Sequence, residues 1–334
     1  MHIELTSGGT KVVGIGAALV DILARETDAF LEDISDIKGG MTLVDNLFIE
    51  DVSKKLTAPP EIVSGGAACN TIAGVGKLGG DARFVGKVGS DPLADLFESD
   101  LKKSHVEPFL FKSSLPNGKV LSIITPDAQR SMFTSLSAAQ ELCDGDISEA
   151  CFKDASIVLV EAYLLYNSAE LVLKSLRLAK ASGAWVAMDL SSFTVVNDFK
   201  TLLKEEVIPY VDILIANEDE AEAFTGHRDE KQAIDELSKQ ARVAALKVGK
   251  KGSYLSYDGQ VNYVAPLGEG DAVDTTGAGD LWASGFLYGL VNGWSIETCG
   301  KVASACGYEV CQVVGAKIPE DGWRRIEKVI QDNR

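Results

Sequence analysis

The sequence predicts an α/β protein: a central, mostly parallel sheet with helices on both faces plus a small β lid. Three observations carry this. Apolar runs of strand length recur at residues 156–161, 184–190, 211–217 and 242–248. Stretches with helical spacing separate them, and the N-terminal third breaks instead into short alternating segments. Wholly apolar strands that alternate with helices are what a parallel sheet covered on both faces requires, and right-handed crossovers connect such strands.

Taken in order, Val12-Val13-Gly14-Ile15-Gly16 reads as a central strand. Around residues 35–50 and 105–135, alternating pieces interrupted by Gly, Pro, Asn and Asp predict the lid. A helix is expected over 168–182, with Leu171, Leu173, Leu176 and Leu178 as its apolar positions and Gly183 as its stop. Further helices are expected at 198–207, 218–224 and 230–240. With no internal repeat, low-complexity tract or Pro/Ser-rich linker, residues 1–334 read as one domain that carries the lid.

Composition narrows the function. The 334 residues carry a net charge of −17, which excludes nucleic acid as an expected partner, because phosphate neutralisation needs clustered Lys and Arg. A small anion is compatible with an acidic surface, since backbone amides and one or two cations suffice to hold it. No run approaches the ~20 apolar residues of a membrane span, and the first residues lack the pattern of a secretory leader. A cytoplasmic location and no membrane partner are therefore expected. Six scattered cysteines without a C-x-x-C pair give neither a zinc site nor a disulfide framework. Three histidines outside any motif leave a Ser-His-Asp hydrolase without support. Gly14-Ile15-Gly16 lacks the third glycine of a dinucleotide fingerprint.

The most informative segment is Asp274-Thr275-Thr276-Gly277-Ala278-Gly279-Asp280, which runs into the apolar stretch Leu281-Trp282-Ala283-Ser284-Gly285-Phe286-Leu287. A Gly-Ala-Gly turn opening a helix points unpaired amides at one spot, where the helix dipole also favours an anion. Asp280 stands beside that spot as a candidate general base, and the amides of Gly277, Ala278 and Gly279 are candidates to stabilise a phosphoryl group. Near the other end, Asp21 follows the first strand, where open α/β sheets bind ligands, and a carboxylate suits a vicinal diol.

These segments resemble the signatures of the ribokinase-like (PfkB) carbohydrate kinase family. The C-terminal segment is similar position for position. Ser64-Gly65-Gly66-Ala67-Ala68-Cys69-Asn70, followed by Phe84-Val85-Gly86-Lys87-Val88-Gly89-Ser90-Asp91, resembles the N-terminal signature. Asn217-Glu218-Asp219-Glu220 resembles the N-x-x-E motif, and Val248-Gly249-Lys250-Lys251-Gly252-Ser253 a strand and turn on the nucleotide side. Arg130-Ser131-Met132, Met188-Asp189-Leu190-Ser191 and Tyr210-Val211-Asp212-Ile213-Leu214 resemble stretches of adenosine kinases in the same order.

The resemblance implies a ribokinase-like fold and an ATP-dependent kinase acting on a hydroxyl of a ribose-containing substrate, with adenosine and its 5′-hydroxyl preferred. Another nucleoside, ribose, fructose or a related sugar is the alternative within the family, and a non-catalytic ligand-binding member the alternative outside it. It further implies that Asp21, Gly65, Gly66 and Asn70 hold the acceptor, with Arg130 on the lid reaching the phosphates. Asn217, Lys247, Gly249, Gly252, Thr276, Gly277 and Gly279 would bind ATP. Asn217 and Glu220 would organise Mg²⁺ through water, and Asp274 and Thr276 a monovalent cation such as K⁺. Phe30, Phe133 and Tyr163 are candidates to stack on a base. The partners expected are the small-molecule acceptor and ATP, in a monomer or homodimer.

Overall fold

In a computed structural model of the chain, residues 9–127, 129–268 and 271–333 are described. The chain opens as β1 (Lys11–Ile15) and crosses into a second sheet as β2 (Leu19–Arg25), α1 (Asp28–Glu32), β3 (Gly40–Leu43), α2 (Asn46–Ser53) and β4 (Glu61–Gly65). It returns through α3 (Ala67–Lys77), β5 (Ala82–Val88), α4 (Pro92–Lys103) and β6 (Val106–Lys112), then crosses again for β7 (Gly118–Ile124) and β8 (Arg130–Ser135). Alternating units follow: β9 (Ala155–Glu161), α5 (Ala169–Ala181), β10 (Trp185–Asp189), α6 (Phe193–Asp198), α7 (Lys200–Leu202), β11 (Ile213–Asn217), α8 (Glu218–Thr225), α9 (Glu230–Leu237) and β12 (Val243–Lys247). The antiparallel strands β13 (Ser253–Tyr257) and β14 (Gln260–Val264) precede α10 (Ala278–Val291), α11 (Ile296–Val310) and α12 (Glu320–Asn333).

The large sheet has the order β14-β13-β12-β11-β10-β9-β1-β5-β6, parallel from β12 to β6. Alternate residues of each strand feed opposite cores. Val13, Val158, Val186 and Leu214 pack on one face, under α5, α8 and α9. Val12, Ile157, Ala187 and Ile213 pack on the other, under α3, α10 and α11. Strand order reverses at β1, and an open parallel sheet binds ligands beyond the carboxyl ends of its strands at such a point.

The lid is a five-stranded sheet of order β3-β8-β7-β2-β4. Its outer face buries Ile22, Leu121, Ile123 and Phe133 against Leu31, Ile49 and Val52 of α1 and α2. These strands correct the expected boundaries. β2 and β4 lie outside 35–50 and 105–135, yet both are strands of the lid sheet, and β2 adds Ile22 and Ala24 to its core. β6, inside that range, instead pairs with β5 as the last strand of the large sheet. Pro108 suits that edge, where a missing amide costs no ladder bond. The helix expected over 198–207 is also interrupted: α7 is one turn, and Leu203–Val207 loosens into a π turn.

The apolar helix α10 is enclosed by α3 and α11. A Cβ on Gly74 of α3 would lie 2.4 Å from Ser284 Oγ and 2.6 Å from its Cβ, so the absence of a side chain sets the α3–α10 spacing. Overpacking of this kind costs about 1–3 kcal/mol. Gly74→Ala is expected to lower the midpoint of urea unfolding accordingly, with little change in its slope.

Candidate active site

The segment 274–280 forms the expected anion cradle. Gly277 is the N-cap of α10 at φ +72°, a left-handed conformation, and a Cβ there would strike Ala316 Cβ at 2.5 Å. The chain thus turns straight into the helix, which places Ala278, Gly279 and Asp280 in its first turn. The Ala278 amide donates to the Thr275 carbonyl at 3.1 Å. Among the described residues the Gly279 and Asp280 amides have no acceptor, as befits the open end of a helix. Ala278 therefore does not supply a free amide, contrary to the expectation that all three residues would.

Asp280 is half-buried, and its Oδ2 accepts from Asn70 Nδ2 at 3.0 Å, linking α10 to α3. Burial, joined by the Asp189 and Asp21 carboxylates, pushes it up to about 6 against the lowering by Asn70 and Lys247. Lys247 ends β12 in register with Asn217 at the end of β11. Its Nζ lies 3.5 Å from Asp189 Oδ2 and 3.1 Å from where a Cβ on Gly279 would stand, so the ammonium reaches the cradle. Burial works against its charge, but Asp189, Glu220 and Asp280 together hold it above the ordinary lysine value. Gly249 and Gly252 make the turn that follows into β13.

Asn217 caps α8 and is locked to Glu220. Glu220 Oε1 accepts from Asn217 Nδ2 at 2.7 Å and Oε2 from its amide at 2.8 Å, while the Glu220 amide donates to Asn217 Oδ1 at 2.9 Å. Glu220 is 2% exposed; burial raises it and Lys247 opposes the rise.

Asp21 lies within β2 of the lid, rather than beyond a strand of the large sheet as its sequence position suggested. The link after β1 lifts it into the second layer, so the carboxylate faces the cleft from above. A Cβ on Gly65 would fall 2.3 Å from Asp21 Oδ2, and one on Gly66, at φ +98°, 2.4 Å from the Ala17 carbonyl. Gly65 is therefore required by the approach of β2, and Gly66 by the link that leads into it. Burial pushes Asp21 up to about 6, tempered by Arg130 and Lys317.

Arg130 does not point at the cradle's amides. It forms an ion pair with Asp274 Oδ2, which also accepts from the Gly315 amide at 2.8 Å. Asp274 Oδ1 accepts from the Thr276 amide at 3.0 Å and hydroxyl at 2.9 Å. Burial of Asp274 is outweighed by these donors and by Arg130, and its carboxyl lies below the usual range. Both oxygens being engaged, and one by a cation, the Asp274–Thr276 pair does not fit the expected monovalent cation. Phe133 (2% exposed) and Phe30 pack in the outer lid core, so neither faces a bound base. Tyr163, 38% exposed, stays accessible.

Residues 42–322 match the family model for pfkB family carbohydrate kinases. The chain belongs to that family. The kinase is similar over 96% of its length to a probable sugar kinase of Rhizobium etli (32% identity, 98% of that chain, TM-score 0.86). It is equally similar to an adenosine kinase of Sinorhizobium meliloti (32% identity, 96% of this chain and 99% of that chain, TM-score 0.85). An adenosine kinase of Saccharomyces cerevisiae is 27% identical over 314 residues, 89% of this chain and 90% of the relative. The kinase is thus a phosphotransferase with an alcohol group as acceptor, and a kinase of this family uses ATP as co-substrate.

Two carboxylates at the strand ends have no role assigned from the sequence, although Asp189 lies in a stretch that resembles adenosine kinases. Glu161 ends β9 and Asp189 ends β10, in register with each other. The rule applied to Asp21, an acid closing an apolar strand, singles out both.

The raised carboxylates have a consequence for stability. Asp280 titrates at about 6 when folded against an ordinary 3.8. The folded state therefore binds a proton that the unfolded state has released, so this contribution is fully present below about pH 4 and lost as pH rises through about 6. Asp280→Asn, which keeps the shape without the charge, is expected to raise the melting temperature at pH 8. The gain should shrink at pH 5, as scanning calorimetry at the two values will show.

Proposed function

We propose that this kinase transfers the γ-phosphate of ATP to the 5′-hydroxyl of adenosine, with Asp280 as general base. The observation that carries the chemistry is a carboxylate in the first turn of α10 beside two amides without acceptors. Asp280 takes the hydroxyl proton, the acceptor oxygen bonds to the γ-phosphorus, and the bond to the β-phosphate oxygen breaks to release ADP. The Gly279 and Asp280 amides, with Lys247, hold the transferring group where Gly277 turns the chain into α10; Asn217, Gly249, Gly252 and Thr276 line the path of the nucleotide.

The inner face of the lid favours a nucleoside over a bare sugar. Arg130 reaches Asp274, which fixes the side of the sheet that looks into the cleft. Met132 and Thr134 share that side of β8, and Met41 and Leu43 stand opposite them on β3. Asp21 and Leu23 continue it on β2 through Val120 and Ser122 of β7. Asp21 lies at the sugar end, next to Gly65, Gly66 and Asn70. Beyond it Met132, Met41 and Leu43 give the ceiling an apolar stretch, interrupted by Thr134 and Ser122, with Met41 53% and Leu43 64% exposed. A flat, weakly polar base suits such a surface, whereas the hydroxyls of a second sugar unit would lose hydrogen bonds there. The Sinorhizobium meliloti relative supports the same reading.

The Asn217–Glu220 pair fits Mg²⁺. Both Glu220 oxygens are engaged, and among the described residues no group of three or more His, Cys, Asp or Glu is placed to hold a metal directly. Such a set suits a cation that keeps its waters and takes phosphate oxygens. When bound, Mg²⁺ supplies charge neutralisation at the phosphates, while Asn217 and Glu220 orient its water shell.

Asp280→Asn is expected to lower turnover about a hundredfold to ten-thousandfold, the range of general-base catalysis, with ATP affinity by calorimetry little changed. In the unmodified kinase log kcat/KM should fall below about pH 6, the value of Asp280. An acid limb that continues flat to pH 4 would remove Asp280 as base. A coupled ADP-release screen over nucleosides and sugars tests the acceptor: strong turnover with fructose or ribose and none with adenosine overturns the choice of adenosine and leaves the kinase chemistry standing.

A further inference from the structure

One buried carboxylate outside the proposed machinery is satisfied entirely by backbone. Glu161, at the end of β9, is 2% exposed. Its Oε1 accepts the Ala17 amide at 2.7 Å and its Oε2 the Ala68 amide at 2.8 Å. The two amides mark the two places where the first lid segment joins the large sheet. Ala17 lies in the link from β1 to β2, and Ala68 in the first turn of α3, directly after β4. An amide in a first helical turn has no acceptor within its own helix, so Ala68 depends on this carboxylate. The contact is close enough to dictate a neighbour: a Cβ on Gly16 would lie 2.6 Å from Glu161 Cδ and 2.7 Å from Ala68 Cβ.

We propose that Glu161 is a positioning residue, which pins both chain crossings to the large sheet and so sets Asp21, Gly65, Gly66 and Asn70 in register with Asp280. Ala17 stands four residues before Asp21 and Ala68 two before Asn70, so a shift at either amide passes directly to a group facing the cleft. The assignment rests on the phosphotransfer reading of that cleft. An ionised carboxylate accepts strongly at both oxygens; once protonated, one oxygen carries the proton and accepts only weakly, so one of the two amide bonds loses its charge-assisted strength. Burial pushes Glu161 up to about 7 against the two amide bonds, with Asp280 from α10 and Asp189 from β10 adding to the rise. Cys69 on α3 and Tyr163 after β9 also lie in its field, and burial raises both, which keeps them neutral. The junction is therefore tight above about pH 7 and loosens below it.

The test is Glu161→Gln, which keeps the shape but sets an NH₂ against one of the two amides. The loss of one charge-assisted hydrogen bond corresponds to about a tenfold change. We expect the acceptor KM to rise by that factor while the ATP KM stays within about twofold, and the acceptor KM to lose its step near pH 7. An unchanged acceptor KM, or an equal rise in both KM values, overturns the proposal, since a fold-wide defect would move both. Amide hydrogen exchange of the unmodified protein, resolved to single residues, tests the same contacts without a variant. The Ala17 and Ala68 amides should be protected, and exchange as fast as a free amide at both overturns the proposal even if Glu161→Gln fails to fold. If no acceptor in the screen turns over, the kinase reading fails by itself, and the exchange measurement still decides whether Glu161 holds the junction.

Discussion

A single buried ammonium among carboxylates is the constraint on which the site depends. Lys247 sits between Asp189, Glu220 and Asp280, and three acids against one base leave a local surplus of negative charge, into which the proposed function brings a polyanion. Water relieves this surplus only in part, because the groups stand half-buried or buried at the ends of β10, β12 and the starts of α8 and α10. The surplus is further reduced by burial, which raises Asp280 and Glu220, and by donors: Asn70 on Asp280, and Asn217 on Glu220. The amides at the start of α10 and the Lys247 ammonium then remain as the positive features toward which a phosphate is drawn. Under the proposed function, a cation brought with the nucleotide would complete the same balance through its water shell, without a cage of its own.

The two sheets divide the work. The large sheet supplies charge, since parallel strands end together and place Glu161, Asp189, Asn217 and Lys247 along one edge. The lid supplies shape, since its alternation sends one set of side chains to α1 and α2 and the other to the cleft. Asp21 and Arg130 are the exceptions, a carboxylate and a guanidinium on the shaping face. Gly65 has no side chain because that carboxylate fills the space where one would be.

How much of this could be read from the sequence follows from how far each feature reaches. The cradle was legible because it is local: a Gly-Ala-Gly turn and an apolar helix are contiguous, and Asp280 falls in the first turn by counting alone. The β9–β12 units were legible for the same reason, each being an apolar run ended by a polar residue. The lid was read only in part. β2 pairs with β4 and with β7, some 40 and 100 residues away, and nothing within seven residues announces either partner. Asp21, seen alone after a glycine-rich strand, is indistinguishable from a residue at the strand's carboxyl end. Pro108 and its alternating neighbours look like a lid strand as much as an edge strand, and only the pairing with β5 decides. Glu161 and Asp189 carried a usable signal, but their partners are backbone amides and a distant lysine, which no side-chain motif encodes.

The Arg130–Asp274 pair shows how the lid and the cradle answer to each other. Asp274 gathers the Thr276 hydroxyl and amide and the Gly315 amide, so it orders the loop from which Gly277 turns into α10. Arg130 compensates that carboxylate from across the cleft. Removal of one member of a largely buried pair strands the other charge, a penalty larger than the net worth of the pair. A bound triphosphate offers Arg130 an alternative anion at short range, and Asp274 would retain three neutral donors after the exchange. Asp274 could therefore release the lid cation without becoming unsatisfied, and under the proposed function the cradle would keep its shape through such an exchange.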